Sequence, residues 1–84
     1  MGTLGSYLRE AREERGLDLR DAAQQTRISI NYLKAIEEED VQALPAPVYL
    51  KGFLRTYAKA LGLDPQRVAE EYLEGITGKG YQKD

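Results

Sequence analysis

The sequence predicts an all-α domain, a bundle of five helices. Apolar residues recur at three- and four-residue spacing in five stretches, no stretch alternates with the period of two that marks a strand, and capping residues separate the stretches. With 84 residues the chain makes one domain, whose core hides about 60% of the surface that the unfolded chain exposes. An apolar share of 42% is adequate for such a core.

The first helix is expected from Leu4 to Arg15, with Thr3 as its N-cap and Gly16 as the left-handed residue after its end. Leu4, Tyr7, Leu8 and Ala11 form its inner face, and Arg9, Glu10, Arg12, Glu13 and Glu14 its solvent side. Asp18 caps a short second helix, Leu19 to about Gln25, in which Asp21 sits where the helix dipole favours negative charge. Ala22 and Ala23 are small enough to let another helix approach closely. Ser29 caps a third helix from Ile30 to about Glu38, with Ile30, Leu33 and Ile36 inward and Asn31, Lys34, Glu37 and Glu38 outward. These two short helices, joined by a four-residue turn, have the dimensions of a helix-turn-helix, although any small bundle contains such a pair.

A connection from Glu39 to Pro47 follows, with Val41 and Leu44 as apolar plugs and prolines that stop the third helix. The fourth helix runs from Pro47 to Leu61 and ends at Gly62. The fifth starts from Asp64 and Pro65, buries Val68, Ala69, Tyr72 and Leu73, and reaches about Glu74. Residues 76–84 are glycine-rich and aperiodic and are expected to be a flexible tail or the start of a linker, which leaves residues 1–75 as the domain.

Composition narrows the function. The chain has no cysteine and no histidine, so disulfides and thiolate metal sites are excluded, and zinc sites and general acid–base catalysis lose their commonest residue. No nucleophile–base pair is visible, so no catalytic, metal or cofactor-binding residue is predicted, and the domain is not expected to be an enzyme. A formal net charge of −2 lacks the basic excess usual for nucleic-acid binding. No run is long enough to cross a membrane and no signal-peptide core follows Met1, so a cytoplasmic domain is expected, compatible with a membrane anchor beyond Asp84.

The fourth helix stands out. An aromatic series, Tyr49, Phe53 and Tyr57, runs beside a basic series, Lys51, Arg55 and Lys59, and no acid occurs from Val41 to Leu63. The core takes Leu50, Leu54, Tyr57 or Ala58, and Leu61. Tyr49 and Phe53 lie about 100° to one side, either as flanks of a wide buried face or as an anchor for a partner. Gly52 suggests close approach of another backbone, since glycine inside a helix is unfavourable by about 0.5–1 kcal/mol against alanine. The basic series makes a local positive patch suited to phosphates or to an acidic protein surface.

The run Leu17-Asp-Leu-Arg-Asp-Ala-Ala, Thr26-Arg-Ile-Ser, Tyr32-Leu-Lys-Ala-Ile-Glu, Leu44-Pro, Val48-Tyr, Gly52-Phe-Leu-Arg-Thr-Tyr-Ala and Leu61-Gly-Leu-Asp-Pro resembles the N-terminal cytoplasmic domain of the RodZ family of bacterial cell-shape proteins. The resemblance covers about Leu4 to Leu73, and its most specific part is the Leu-Pro…Tyr-x-x-Gly-Phe-Leu-Arg-x-Tyr-Ala segment. It implies a five-helix domain with a helix-turn-helix related to phage-repressor DNA-binding domains. It further implies a single-span membrane protein that binds the actin-like filament protein MreB and links it to the membrane and to cell-wall synthesis. The family's aromatic contact pair matches Tyr49 and Phe53, with Lys34, Lys51 and Arg55 as further expected contacts.

The alternative is a sequence-specific DNA-binding regulator with Ile30, Asn31 and Lys34 of the third helix in the major groove. Against it, the span from Arg27 to Asp40 holds two bases and four acids, a sum of −2, which is unfavourable beside phosphates. Leu19 and Arg20 also stand where DNA-binding relatives tend to open the second helix with a polar residue, often glutamine.

Overall fold

A computed structural model describes residues 3–81, and among these the chain forms five helices and no strand. They are α1 (Leu4–Glu14), α2 (Leu19–Thr26), α3 (Ile30–Glu38), α4 (Pro47–Ala60) and α5 (Pro65–Thr77). The caps stand where the sequence puts them. Thr3 accepts from the Ser6 amide, Asp18 from Asp21, Ser29 from Asn31, and Asp64 from Gln66 and Arg67. Asp21 also reaches back to the Asp18 amide, closing a capping box. Gly16 and Gly62 take positive φ after α1 and α4, the left-handed geometry that glycine tolerates best.

The α2–α3 pair is a helix-turn-helix whose turn has three residues, Arg27 to Ser29, because α2 runs one residue past its expected end. The Thr26 hydroxyl secures that extra residue by donating to the Ala22 carbonyl and accepting from the Ile28 amide. Arg27 is left-handed at φ 61°, and Ile28 drops its side chain into the core. Leu8, Leu33, Ile36, Leu50, Leu54 and Ile76, with the tyrosines Tyr57 and Tyr72, are the largest fully buried side chains. Each aliphatic one contributes about 1.5–3 kcal/mol of transfer free energy.

Several inward and outward assignments change. Arg12 and Glu37, both expected on the solvent side, are buried and paired: Glu37 accepts from Arg12 Nε at 2.8 Å and from Nη2 at 3.0 Å. The Tyr57 hydroxyl donates to the same Glu37 oxygen as Nε, and Arg12 Nη1 donates to the Leu17 carbonyl at 2.9 Å. One knot thus ties α1, α3, α4 and the turn before α2. The Glu37 hydrogen bond raises the Arg12 pKa further, while burial and then Glu37 push the Tyr57 phenol well above its ordinary range, so it remains a donor.

With Arg12 inward, the buried line of α1 is Gly5, Leu8 and Arg12, and Tyr7, expected inside, is 50% exposed. Ile30 is likewise turned outward, 42% exposed, because α3 centres its buried face on Leu33, Ile36 and Glu37.

The expected tail also changes. α5 continues to Thr77 with Ile76 fully buried, and Tyr81 folds back so that its hydroxyl donates to the Pro45 carbonyl at 2.6 Å. Residues 76–81 are therefore part of the packed domain, and the remainder of the expected tail, 82–84, lies outside the described residues. Apolar burial of Ile76 and Tyr81 is what the glycine-rich composition concealed.

Two glycines inside helices have opposite roles. A Cβ on Gly5 would lie 2.3 Å from the Glu37 carbonyl oxygen and 2.8 Å from that of Ile36, so glycine is what lets α1 meet the end of α3. A Cβ on Gly52 would meet nothing within 4 Å, so the close backbone approach expected there is not made within this chain.

Gly5→Ala should destabilise the domain by about 2–3 kcal/mol in urea unfolding, whereas Gly52→Ala should stabilise it by about 0.5–1 kcal/mol. Glu37→Ala leaves Arg12 buried without its partner and should lower stability by about 3–5 kcal/mol. That is a large part of the roughly 4–13 kcal/mol available to a domain of this length.

Candidate functional site

On α4 the aromatic series is graded by helix geometry. A residue four positions along an α-helix stands about 40° past a full turn, because each residue turns about 100°. Tyr57, held inward by its bond to Glu37, is fully buried. Phe53, about 40° away, is half-buried against the core, and Tyr49, about 80° away, is 62% exposed. Tyr49 and Phe53 therefore divide the two readings of the stripe: Phe53 is partly structural, and Tyr49 is presented to solvent.

Phe53 does not stand alone. Its ring centroid lies 5.7 Å from that of Tyr32 on α3, with the planes tilted by 34°, within the range of favourable aromatic pairs. Tyr32 is itself 36% exposed, and Val48, beside Tyr49, is 77% exposed. Neither was singled out from sequence. Val48 offered a weak signal, a β-branched apolar residue in the first turn of the acid-free helix. Tyr32 offered none, since its contact crosses between helices 21 positions apart, from 32 to 53.

Lys51, Arg55 and Lys59 are exposed on α4, and Lys34 is exposed on α3. Among the described residues the ion pairs are Arg12–Glu37, Arg67–Glu71 and Lys79–Glu39, so none of these four bases is neutralised by a close carboxylate. The result is an apolar and aromatic surface with free cations on the helix that carries it.

The α3 residues of the alternative reading, Ile30, Asn31 and Lys34, are all exposed. The charge sum set against them changes in the folded protein. Glu37 is buried against Arg12, and the Glu39 side chain is turned inward between the Gly5 amide and Lys79. Burial alone would raise the Glu39 pKa, but the Lys79 and Gly5 contacts outweigh it and hold the carboxyl below its ordinary value. The exposed charges from Arg27 to Asp40 are then Arg27 and Lys34 against Glu38 and Asp40, two bases and two acids.

A separate shallow cleft of about 430 Å3 lies between α1 and α5, lined by Leu4, Tyr7, Leu63, Asp64, Arg67, Val68 and Glu71. It holds none of the residues proposed from sequence and no nucleophile–base pair.

The chain matches the helix-turn-helix domain family over residues 7–68. It is 41% identical over 73 residues to the cytoskeleton protein RodZ of Streptococcus pneumoniae, covering 87% of this chain and 26% of that protein. It is 35% identical over 60 residues to the uncharacterized membrane protein YmfM of Bacillus subtilis, covering 71% of this chain and 21% of that protein. The chain thus spans about a quarter or less of the lengths of these relatives. The solved structure of YmfM from Staphylococcus aureus, a membrane protein for which DNA binding has been suggested, superposes with a TM-score of 0.77 at 30% identity, covering 87% of this chain and 89% of that one. Among the described residues, no helix is long and apolar enough to cross a membrane.

Tyr49→Ala should change the unfolding free energy by less than about 0.5 kcal/mol, as expected for a solvent-facing side chain. Phe53→Ala should cost about 1–3 kcal/mol, below the range of a fully buried phenylalanine. Thermal unfolding followed by circular dichroism checks both.

Proposed function

The chain belongs to the helix-turn-helix domain family, and from that premise we propose that it is a protein-interaction module of a cell-shape protein, binding the actin-like filament protein MreB. In this reading it links the filament to the membrane and to the cell-wall synthesis machinery, the membrane connection being made by a span outside this fragment. The carrying observation is Tyr49, 62% exposed beside the 77% exposed Val48 at the start of an acid-free helix, an apolar pair that the core leaves in solvent. The likeness of the chain to a protein named cytoskeleton protein RodZ supports a cytoskeletal partner.

The mechanism follows from the surface. Tyr49 inserts as the anchor, because a rigid aromatic removes a large apolar area from water at a small loss of rotamer freedom. Phe53, braced by Tyr32, forms the floor beside it. Lys51, Arg55 and Lys34, free of intramolecular partners, steer encounter with an acidic surface and fix orientation at the rim. Gly52 is exposed with open space above it, so a partner backbone has room to approach there.

A second reading, DNA binding through Ile30, Asn31 and Lys34, draws support from the inward turn of Glu37 and Glu39, which removes half of the acids that opposed it. The net charge of −2 and the absence of a basic excess on α3 favour the protein partner.

Co-sedimentation with polymerised MreB tests the main reading. The unmodified domain should pellet with filaments, and Tyr49→Ala should raise the Kd by about 30-fold or more while retaining its helical circular dichroism. Replacing Lys51 and Arg55 together by alanine should flatten the salt dependence of association. Normal pelleting of Tyr49→Ala would sink the assignment of the anchor. Tight binding to random duplex DNA that falls steeply with added salt would instead favour the second reading.

A further inference from the structure

Four of the five helices of the described residues start on a side-chain cap, from Thr3, Asp18, Ser29 and Asp64. α4 does not. Ala46 occupies its N-cap and offers no side-chain acceptor, and the two prolines on either side of it have no amide to donate. The first turn of α4 is also the one that carries Val48 and Tyr49. The helix start least secured by its own sequence thus presents the exposed aromatic.

What secures it comes from the turn after α5. The Ile76 carbonyl accepts from the Lys79 amide at 2.9 Å and from the Tyr81 amide at 3.1 Å, and Gly80 at φ 98° swings the chain back. Lys79 Nζ then lies 2.8 Å from Glu39 Oε1, at the beginning of the α3–α4 connection. Tyr81, only 8% exposed, donates its hydroxyl to the Pro45 carbonyl at 2.6 Å, immediately before the N-cap of α4. One turn therefore grips both ends of the connection that leads into α4. Pro45 is itself buried, so this contact is shielded from competing water.

We propose that Tyr81 is a positioning residue for the partner-binding surface: the turn at 78–81 anchors the chain just before the uncapped start of α4, holds Pro45 in place, and so sets how Tyr49 is presented. The conclusion rests on Tyr49 being the partner anchor for its functional meaning, but its structural content is testable without a partner.

The test is amide hydrogen exchange on the 84-residue chain with Tyr81→Phe and Tyr81→Ala. Tyr81→Phe keeps the buried ring and deletes only the hydroxyl. The Tyr49 and Leu50 amides both bond to the Ala46 carbonyl, so they report the first turn of α4 directly. They should exchange about three- to tenfold faster in Tyr81→Phe, and faster again in Tyr81→Ala, while the Leu54 and Ala58 amides in mid-helix change less. Equal acceleration at all four amides would mean a general loss of stability and would overturn the positioning role, as would unchanged exchange at Tyr49 and Leu50.

Pelleting with MreB filaments separates this proposal from the reading beneath it. Weaker pelleting of both Tyr49→Ala and Tyr81→Ala, with local acceleration confined to α4's first turn, supports both. If Tyr49→Ala pellets normally, the anchor falls while exchange still judges Tyr81. If Tyr49→Ala fails to pellet but Tyr81→Ala pellets fully, the positioning role falls alone.

Discussion

The buried contact of Arg12 and Tyr57 with Glu37 is the constraint from which most of the arrangement follows. A carboxylate and a guanidinium removed from water are tolerated only when geometry and partners are nearly complete. Here the two hydrogen bonds from Arg12, the Tyr57 hydroxyl and the Leu17 carbonyl supply those partners. Because the groups come from α1, α3, α4 and the turn before α2, satisfying them fixes the rotation of three helices at once. Apolar contacts alone tolerate small rotations, whereas a bidentate charged pair does not.

The exposed surface is a consequence of those rotations. Turning Arg12 inward carries Tyr7 out to the rim of the α1–α5 cleft, and turning Glu37 inward carries Ile30 out. Tyr57 does the same to α4: once its hydroxyl is committed to Glu37, the 40° offset of each four-residue step leaves Phe53 at the boundary and Tyr49 in solvent. The site is therefore built from what the core leaves over. Its cations carry no close carboxylate, and of the four acids at positions 37–40 two, Glu37 and Glu39, are occupied by Arg12, Lys79 and the Gly5 amide.

The α3–α4 connection extends the same logic to the end of the fold. It contains prolines and a left-handed Glu39 at φ 53°, and it leads into a helix without a side-chain cap. Such a segment depends on distant partners, and Lys79 and Tyr81 are among them. Placement of α4 is thereby linked to residues that periodicity alone assigned to a tail.

Five helices, four side-chain caps, the glycine terminators and the helix-turn-helix were legible in the sequence, because caps and 3.6-residue periodicity are local properties of neighbouring residues. So were the acid-free fourth helix and its paired aromatic and basic series. Tertiary structure alone decided which charges are buried. Arg12 and Glu37 read as surface residues by type, and only the meeting of helices 25 positions apart neutralises them. It also decided that Tyr49 is exposed and Phe53 only half-buried, that Tyr32 braces Phe53, that Gly5 and not Gly52 marks a close backbone approach, and that Tyr81 packs on Pro45. The physical reason is the same each time: residue type and spacing set which face an isolated helix would bury, but desolvating a charge or a backbone carbonyl depends on a partner that the chain supplies from elsewhere.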